Sequence, residues 1–155
     1  MVSRALCGVS KYGKIMNPND ILQPILGMVF LHAIVLAWMI LVRKKAMSEM
    51  SMTMEDAKHL IDFNVHPAYA RQVADNYNHL FELPTIFYAI IFYVWAIGHV
   101  DAIHIWCAWA FFISRIIHSL IQGVFNNVKA RFSVFIFGWV TILIMAFREL
   151  LRAII

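Results

Sequence analysis

Charged residues are scarce in this sequence, and long apolar runs take their place. Charged side chains make up only 14% of the 155 residues and hydrophobic ones 62%, which gives a mean hydropathy of +0.72. Apolar runs of about 20 residues have the length that a bilayer core of ~30 Å requires of a membrane-spanning helix. The composition therefore excludes an ordinary soluble domain and predicts an integral, multi-pass membrane protein.

The sequence also lacks the features of a disulfide-stabilised or nucleic-acid-binding protein. Its two cysteines, Cys7 and Cys107, lie far apart, and Cys107 falls in an apolar run, where we interpret it as a small core residue. The formal net charge of +4 is spread over the ends of the apolar segments, which is typical of anchoring beside anionic headgroups. We expect membrane lipids as partners and no nucleic acid.

The apolar runs also indicate the fold class. Backbone polar groups must be paired inside a bilayer, so only helices or closed β-barrels cross it, and these runs lack the alternation of barrel strands. The sequence predicts an all-α fold, an integral membrane four-helix bundle over residues 21–155. The expected spans are residues 21–42, 70–96, 102–125 and 132–150. Residues 1–20 contain no apolar stretch of the ~7–15 residues that a secretory signal needs, and we expect a polar N-terminal tail there.

Polar residues and prolines indicate where the spans end and bend. We expect Arg43 to Lys45 to end the first span and Pro84 to kink the second. Residues 46–69 are interpreted as a loop with a short amphipathic helix that begins after Thr53, a typical N-cap residue. The methionines of this interval are interpreted as flexible apolar side chains and not as copper ligands. They are Met47, Met50, Met52 and Met54.

Three histidines outside the main polar stripes receive structural interpretations. His32 is isolated on the first span, and we interpret it as a buried or interface histidine with a backbone hydrogen-bond partner. His99 and His104 belong to the turn before the third span. Asp101 and His104 have the i, i+3 spacing of a metal-binding pair, but two ligands do not form a metal site. We therefore expect solvated turn residues here.

Two polar stripes cross the second and third apolar segments. The residues of the first recur at i, i+3, i+4 and i+7, which places them on one helix face: Asp75, Asn78, His79 and Glu82. Those of the second recur at i, i+3 and i+7: Arg115, His118 and Gln122. Ionisable side chains at membrane depth normally face the bundle interior and pair with one another. We expect the stripes to face each other, with Glu82 paired to Arg115.

Lysine and arginine predict the orientation. Seven lie in the first and third connections: Arg43, Lys44, Lys45, Lys58, Arg71, Lys129 and Arg131. Five lie on the opposite side: Arg4, Lys11, Lys14, Arg148 and Arg152. By the positive-inside rule, we expect the first and third connections in the cytoplasm and both termini outside.

Two segments resemble a known family. NYNHLFELPTIFY and, further along, RIIHSLIQGVFNNVKARF resemble the MAPEG family, the membrane-associated proteins of eicosanoid and glutathione metabolism, and especially its small bacterial members. The resemblance covers the chain from Ile21 to its end. It implies a left-handed four-helix bundle, assembled as a homotrimer in a bacterial inner membrane. It also implies that glutathione binds between neighbouring subunits near the cytoplasmic side.

The resemblance further implies roles for individual residues. In the microsomal prostaglandin E synthase branch, an arginine of the third span is followed at fixed spacing by a histidine, a tyrosine and the catalytic arginine. The corresponding residues, with glutamine in place of tyrosine, are Arg115, His118, Gln122 and Arg131. By this resemblance Arg131 would be catalytic and hold the glutathione thiolate, and the binding residues would be Asn78, His79, Glu82, Arg115, His118 and Gln122. The implied activity is a glutathione-dependent transferase or peroxidase that acts on a lipophilic electrophile from the bilayer.

Other interpretations of the stripes stay open. A non-catalytic lipid-binding or scaffold protein of the same fold is one alternative. In another, a buried ion pair and hydrogen-bonded asparagines serve only to fix helix register. A transporter also uses polar stripes, but one short four-span unit without internal repeats or broken helix pairs makes a poor carrier. Apolar grooves are lined by interchangeable side chains, so the sequence does not name a hydrophobic substrate.

Overall fold

Four long α-helices make up the described part of the chain. The computed structural model describes residues 17–52 and 67–154, and these ranges contain no strand. The helices are α1 (Gln23–Glu49), α2 (Ala68–Ala96), α3 (Ala102–Leu120) and α4 (Val128–Ile154). Each belongs to a helical segment that is long and apolar enough to cross a membrane. The predicted all-α, four-helix membrane fold is confirmed.

α1 begins and ends differently from the predicted first span. A 3₁₀ turn, Pro18–Leu22, precedes it, and Oδ1 of Asn17 accepts a hydrogen bond from the backbone N–H of Asn19 (3.0 Å). The helix continues past Arg43 to Lys45 and ends at Glu49, because lysine and arginine are favourable helix residues. Residues 1–16 of the predicted tail and the predicted amphipathic helix after Thr53 lie outside the described residues.

The core lies where α1 packs on α2 and α3 packs on α4. Near its centre the rings of Phe87 and Phe111 stack with centroids 4.1 Å apart and 12° between their planes. α1 approaches α3 closely at Gly27, where a Cβ atom would come within 2.7 Å of the Phe112 ring. The first half of α1 buries one narrow stripe, formed by Pro24, Met28, Leu31 and Val35. Large apolar side chains on its other faces, such as Phe30 and Leu41, are exposed and suited to contact lipid.

α3 ends in a π-helical turn, Ile121–Phe125. The turn closes at Asn126, whose backbone is in the left-handed conformation (φ 47°) and whose N–H donates to the carbonyl oxygen of Ile121 (2.6 Å). Gln122 is the one residue of the turn that is buried. π-helical turns in α-helices frequently occur at functional sites, and this one directs a polar side chain into the bundle.

The connection from the π turn to α4 is shorter than predicted. Oδ1 of Asn127 accepts a hydrogen bond from the backbone N–H of Ala130 (3.2 Å), as an N-cap residue does. α4 therefore begins at Val128, about one turn before the predicted span at residue 132. As a consequence, Lys129 and Arg131 lie in the first turn of the helix and not in a loop.

Candidate functional site

One cavity of about 210 Å³ lies where α2, α3 and the start of α4 meet. Four of the residues singled out in the sequence line it, and they come from all three helices. The lining residues are His79, Glu82, His118, Val128, Arg131, Phe132 and Phe135. Imidazole, carboxylate and guanidinium groups thus share one largely apolar cavity at the end of the bundle where α3 connects to α4.

His79 and Glu82 form a hydrogen-bonded pair on α2. Nδ1 of His79 lies 2.9 Å from Oε2 of Glu82, one helical turn away. A carboxylate only accepts hydrogen bonds, so Nδ1 carries the hydrogen, and in the neutral ring Nε2 has a free lone pair. The side chain of Glu82 is 63% exposed in the single chain. The hydrogen bond therefore fixes the two side chains relative to each other, and the side of Glu82 that faces away from His79 is accessible.

His118 and Gln122 form a second pair, deeper in the bundle. Nε2 of His118 lies 3.1 Å from Oε1 of Gln122, and the two residues are only 5% and 1% exposed. Nδ1 of His118 and Nε2 of Gln122 have no hydrogen-bond partner among the described residues, although the backbone of Arg131 lies close to the His118 ring. Buried polar atoms without partners are costly, so Nε2 of Gln122 has an unused donor that a ligand or water could satisfy.

Arg131 supplies the positive charge of the cavity. It is partly buried in the first turn of α4, and Nη1 donates weakly to Oδ1 of Asn126 (3.4 Å). Within residues 17–52 and 67–154, no carboxylate lies within ion-pair distance of it. The N-terminus of α4 adds a partial positive charge at the same place. The part of the cavity beside Arg131 is consequently suited to an anion.

The predicted pair between Glu82 and Arg115 is wrong. Arg115 is 2% exposed, and its Nε and Nη2 donate to the hydroxyl of Ser114 (3.3 Å) and the carbonyl of Val134 (3.2 Å). Its guanidinium also packs against the rings of Phe111 and Phe135, at 5.3 and 5.9 Å. Arg115 thus binds α4 at Val134 and does not line the cavity, whereas Glu82 lines the cavity and is largely exposed. No ion pair to Arg115 is present among the described residues.

The two asparagines of the second helix have places that the stripe did not predict. Asn78 is exposed and does not line the cavity. Asn76 is fully buried, and neither its Oδ1 nor its Nδ2 has a hydrogen-bond partner among the described residues. Its burial could have been predicted from the helical spacing, because Asn76 falls on the same face as the core residues Val73, Leu80 and Leu83. Asn76 is absent from the predicted stripe because that stripe was defined by the spacing of polar residues and not by the spacing of apolar ones.

A second polar cluster lies at the other ends of α3 and α4. His104, expected to be a solvated turn residue, is fully buried, with Nδ1 3.0 Å from Oδ1 of Asp101 and Nε2 3.4 Å from Oε1 of Glu149. Glu149 is buried as well and binds Nδ1 of His99 (2.7 Å) and Nη1 of Arg152 (2.7 Å). The expectation failed for His104 because the first turn of α3 packs against the end of α4. No group of three metal-binding side chains occurs among the described residues.

Asp101 joins this cluster to the start of α3. Its Oδ1 accepts from the backbone N–H of His104 (3.0 Å), and its Oδ2 accepts from Arg152 (2.9 Å) and Arg148. Partial burial raises the pKa of Asp101, but the His104 N–H and the nearby charges of His104 and Arg148 outweigh that effect. The pKa is therefore held below its ordinary value. The cluster is an N-cap and ion-pair network that fixes the end of the bundle.

A family match covers most of the helical region. Residues 21–151 match the model of the MAPEG family. No curated protein sequence and no solved structure matches the chain significantly. The matched region includes α1, α2, α3, most of α4 and every residue that lines the cavity. Because the match covers most of its length, the chain belongs to the MAPEG family.

Proposed function

We propose that this protein binds glutathione in the cavity and acts as a glutathione-dependent transferase or peroxidase on a lipophilic electrophile from the bilayer. The observation that carries the proposal is the meeting of Glu82, His118 and Arg131 in one cavity from three helices. Glutathione has carboxylates, an ammonium group and a thiol, so a site for it needs cationic and anionic side chains close together. The cavity has both.

The chemistry of the donor set fits this ligand. Arg131, without a carboxylate partner among the described residues, would hold the sulfur, since a neighbouring cation favours a thiolate over a thiol. The exposed carboxylate of Glu82 has an oxygen, Oε1, available for the ammonium group. Bound glutathione supplies a thiolate nucleophile for attack on an electrophile. The apolar wall formed by Phe132 and Phe135 would accommodate a hydrophobic substrate beside it.

His79 provides a proton acceptor in the same cavity. Its Nδ1–H donates to Glu82, so its tautomer is fixed and Nε2 carries the lone pair. A thiol proton transferred to Nε2 would give an imidazolium that the carboxylate of Glu82 stabilises across the Nδ1–H bond. Arg131 would favour the remaining sulfur anion. Acceptance of the proton and stabilisation of the anion are thus assigned to side chains on different helices.

We further propose that a second copy of the chain completes the site in a homotrimer. Glu82 lies near the middle of α2 and is largely exposed, and an ionisable group at such depth is costly unless protein or water covers it. The cavity is also smaller than the ~300–1,000 Å³ of typical ligand sites. With Arg131 as its single arginine, it leaves the second carboxylate of glutathione to be bound by another subunit.

Calorimetric titration of the detergent-purified protein with glutathione tests the proposal. We expect saturable binding that is weakened when Arg131 or Glu82 is replaced. S-methylglutathione is the matched ligand, because it keeps the carboxylates and the ammonium group but cannot form a thiolate. Absence of binding by the wild type would favour the alternative, a non-catalytic lipid-binding or scaffold member of the family.

A further inference from the structure

Pro84 leaves one backbone carbonyl of α2 without its usual hydrogen-bond donor. In an α-helix the carbonyl of residue 80 accepts from the N–H of residue 84, and proline has no N–H. Pro84 lies inside α2, which continues to Ala96. An unpaired backbone carbonyl is costly in a membrane, where no bulk water can replace the donor. Leu80 therefore requires a hydrogen-bond donor from elsewhere.

His32 of α1 occupies the position of that donor. Its Nε2 lies 2.8 Å from the carbonyl oxygen of Leu80, and its Nδ1 lies 2.7 Å from the carbonyl oxygen of Met28. Both carbonyl oxygens can only accept, and a neutral imidazole has a single N–H. Met28 and His32 lie four residues apart in α1, so the Met28 carbonyl already has a helix N–H donor, whereas the Leu80 carbonyl has lost its own. We therefore assign the hydrogen to Nε2, in the bond to Leu80. The ring also contacts Phe81 edge to face, with centroids 4.9 Å apart. The sequence-based interpretation of His32 as a histidine with a backbone partner is confirmed.

The bond is placed within the turn of α2 that carries the candidate site. Leu80 lies between His79 and Glu82, the two residues whose hydrogen bond orients the proton acceptor of the cavity. At the next carbonyl, the hydroxyl of Thr85 donates to Phe81 (2.5 Å). Side chains thus hold the two backbone carbonyls that directly precede Glu82, as is found where proline interrupts the bonding of a membrane helix. α1 contributes to this although none of its residues lines the cavity.

We propose that His32 is a positioning residue: its Nε2–H replaces the missing N–H of Pro84, holds the Leu80 carbonyl and so fixes the direction of Glu82 and His79. The effect on ligand binding rests on the proposed function, whereas the effect on the α2 turn does not. His32 acts through the backbone of Leu80 and touches no reacting group. α1 thereby acts on the site from outside the cavity.

The experiment compares four variants with the wild type. His32→Leu removes the donor, and His32→Gln keeps an N–H at nearly the reach of Nε2. Pro84→Ala restores the backbone N–H, and the double variant His32→Leu/Pro84→Ala combines the loss with the restoration. Two measurements on detergent-purified protein without ligand report on the turn: amide exchange in the peptide that spans residues 78–88, and the ring nitrogen chemical shifts of His79. Glu82→Ala, which removes the acceptor, supplies the unpaired reference for these shifts.

We expect His32→Leu to increase amide exchange in this peptide by roughly tenfold and to shift the His79 signals towards those of Glu82→Ala. His32→Gln should stay close to the wild type, and the double variant should regain wild-type exchange and shifts. If His32→Leu does not fold, recovery of folding in the double variant supports the inference, because the restored N–H of residue 84 replaces the lost donor. Unchanged exchange in His32→Leu, or no recovery in the double variant, overturns the inference. A wild type that does not bind glutathione contradicts the proposed function only, because neither measurement contains a ligand.

Discussion

The guanidinium of Arg115 lies against the backbone of α4 at Gly138. A Cβ atom at position 138 would come within 2.5 Å of Nη2 of Arg115 and 3.2 Å of its Cζ. From this position Nη2 reaches the carbonyl of Val134, and the guanidinium packs on the ring of Phe135. Since Phe135 also lines the cavity, Arg115 stabilises one wall of the site from behind without entering it.

Gly138→Ala should therefore destabilise the protein, by about 1–3 kcal/mol, because the new methyl group displaces Arg115 and breaks its bond to Val134. In an ordinary helix the same change is stabilising. Thermal unfolding in detergent measures the effect. The control is the same substitution in an Arg115→Met background, where the guanidinium is absent and the alanine should be neutral or stabilising. An equal loss in both backgrounds would show that Arg115 is not the cause.

The fold could be predicted from the sequence, but the partner of Arg115 could not. Continuous apolar runs allow only membrane helices, so composition decided the architecture. The spacing of Arg115 and Glu82 places each on a helix face, yet it contains no information on how α3 is rotated relative to α2. Arg115 satisfies its donors with a hydroxyl, a backbone carbonyl and two aromatic rings. A glycine on a third helix makes room for it, and sequence spacing does not reveal such a contact.

The buried polar residues were missed for a related reason. His104 follows a turn and has a polar neighbour in Asp101, so its sequence context suggests exposure. Its burial depends on the packing of α4 residues such as Glu149, which lie far away in the chain. His32 was interpreted correctly because an isolated histidine on an apolar helix needs a local partner. The identity of that partner, the Leu80 carbonyl, still required the structure.

Glu82→Gln should change the free energy of unfolding by no more than about 1 kcal/mol, because the amide oxygen can still accept from Nδ1 of His79 and Glu82 forms no buried pair with Arg115 in the chain. It should nevertheless weaken glutathione binding roughly tenfold to hundredfold, since the ammonium group loses its charged partner. Calorimetry and thermal unfolding separate the two effects. Glu149→Gln is the matched control: it removes a buried, paired carboxylate and should lower stability with unchanged glutathione affinity. A large loss of stability in Glu82→Gln would contradict the geometry.

Asp101 should make the stability of the bundle sensitive to acid. Its folded-state pKa is lowered, so its contribution is fully present above the ordinary aspartate pKa of about 3.9 and is lost as the pH falls through the folded-state value. Asp101→Asn keeps a capping oxygen but should abolish this part of the pH dependence. Asp101→Ala should cost about 1 kcal/mol more, because the cap is lost as well. Unfolding measured between about pH 5 and pH 3 in the three proteins tests the assignment; parallel profiles for wild type and Asp101→Asn would refute it.

The orientation prediction concerns the two ends of the bundle. The basic residues Arg43 to Lys45 lie near the end of α1, and Lys129 and Arg131 lie in the first turn of α4. By the positive-inside rule this end, with the cavity, is expected in the cytoplasm, and the end of α4 outside. A reporter enzyme that is active only outside the cytoplasm should therefore be active when it is fused after the last residue. A reporter inserted after Met50 should give the cytoplasmic signal. The reverse pattern of signals would show that the orientation is opposite to the predicted one.

Arg131→Ala distinguishes an enzyme from a scaffold. Arg131 is partly buried, lines the cavity and has no carboxylate partner among the described residues. If glutathione binds as proposed, the charge of Arg131 would act on the sulfur with little screening. We expect its loss to lower conjugation of a generic electrophile by roughly 100-fold or more. The ultraviolet absorbance of the thiolate, which should develop when glutathione binds at neutral pH, should disappear. Lys129→Ala removes an exposed charge of the same turn and should preserve both signals.

The same measurements on the wild type decide between the two functions, because only an enzyme requires the thiolate. If Arg131 stabilises the sulfur anion, Arg131→Lys should keep part of the absorbance, since the charge remains while the planar donor geometry is lost. If the wild type at saturating glutathione shows neither thiolate nor turnover, the transferase proposal is wrong. Arg131 would then be interpreted as an interfacial anchor, whose aliphatic stem packs beside Phe132 and whose charge reaches the headgroups. In that case Arg131→Ala should weaken only the binding of anionic lipid, which flotation with vesicles of phosphatidylglycerol would measure.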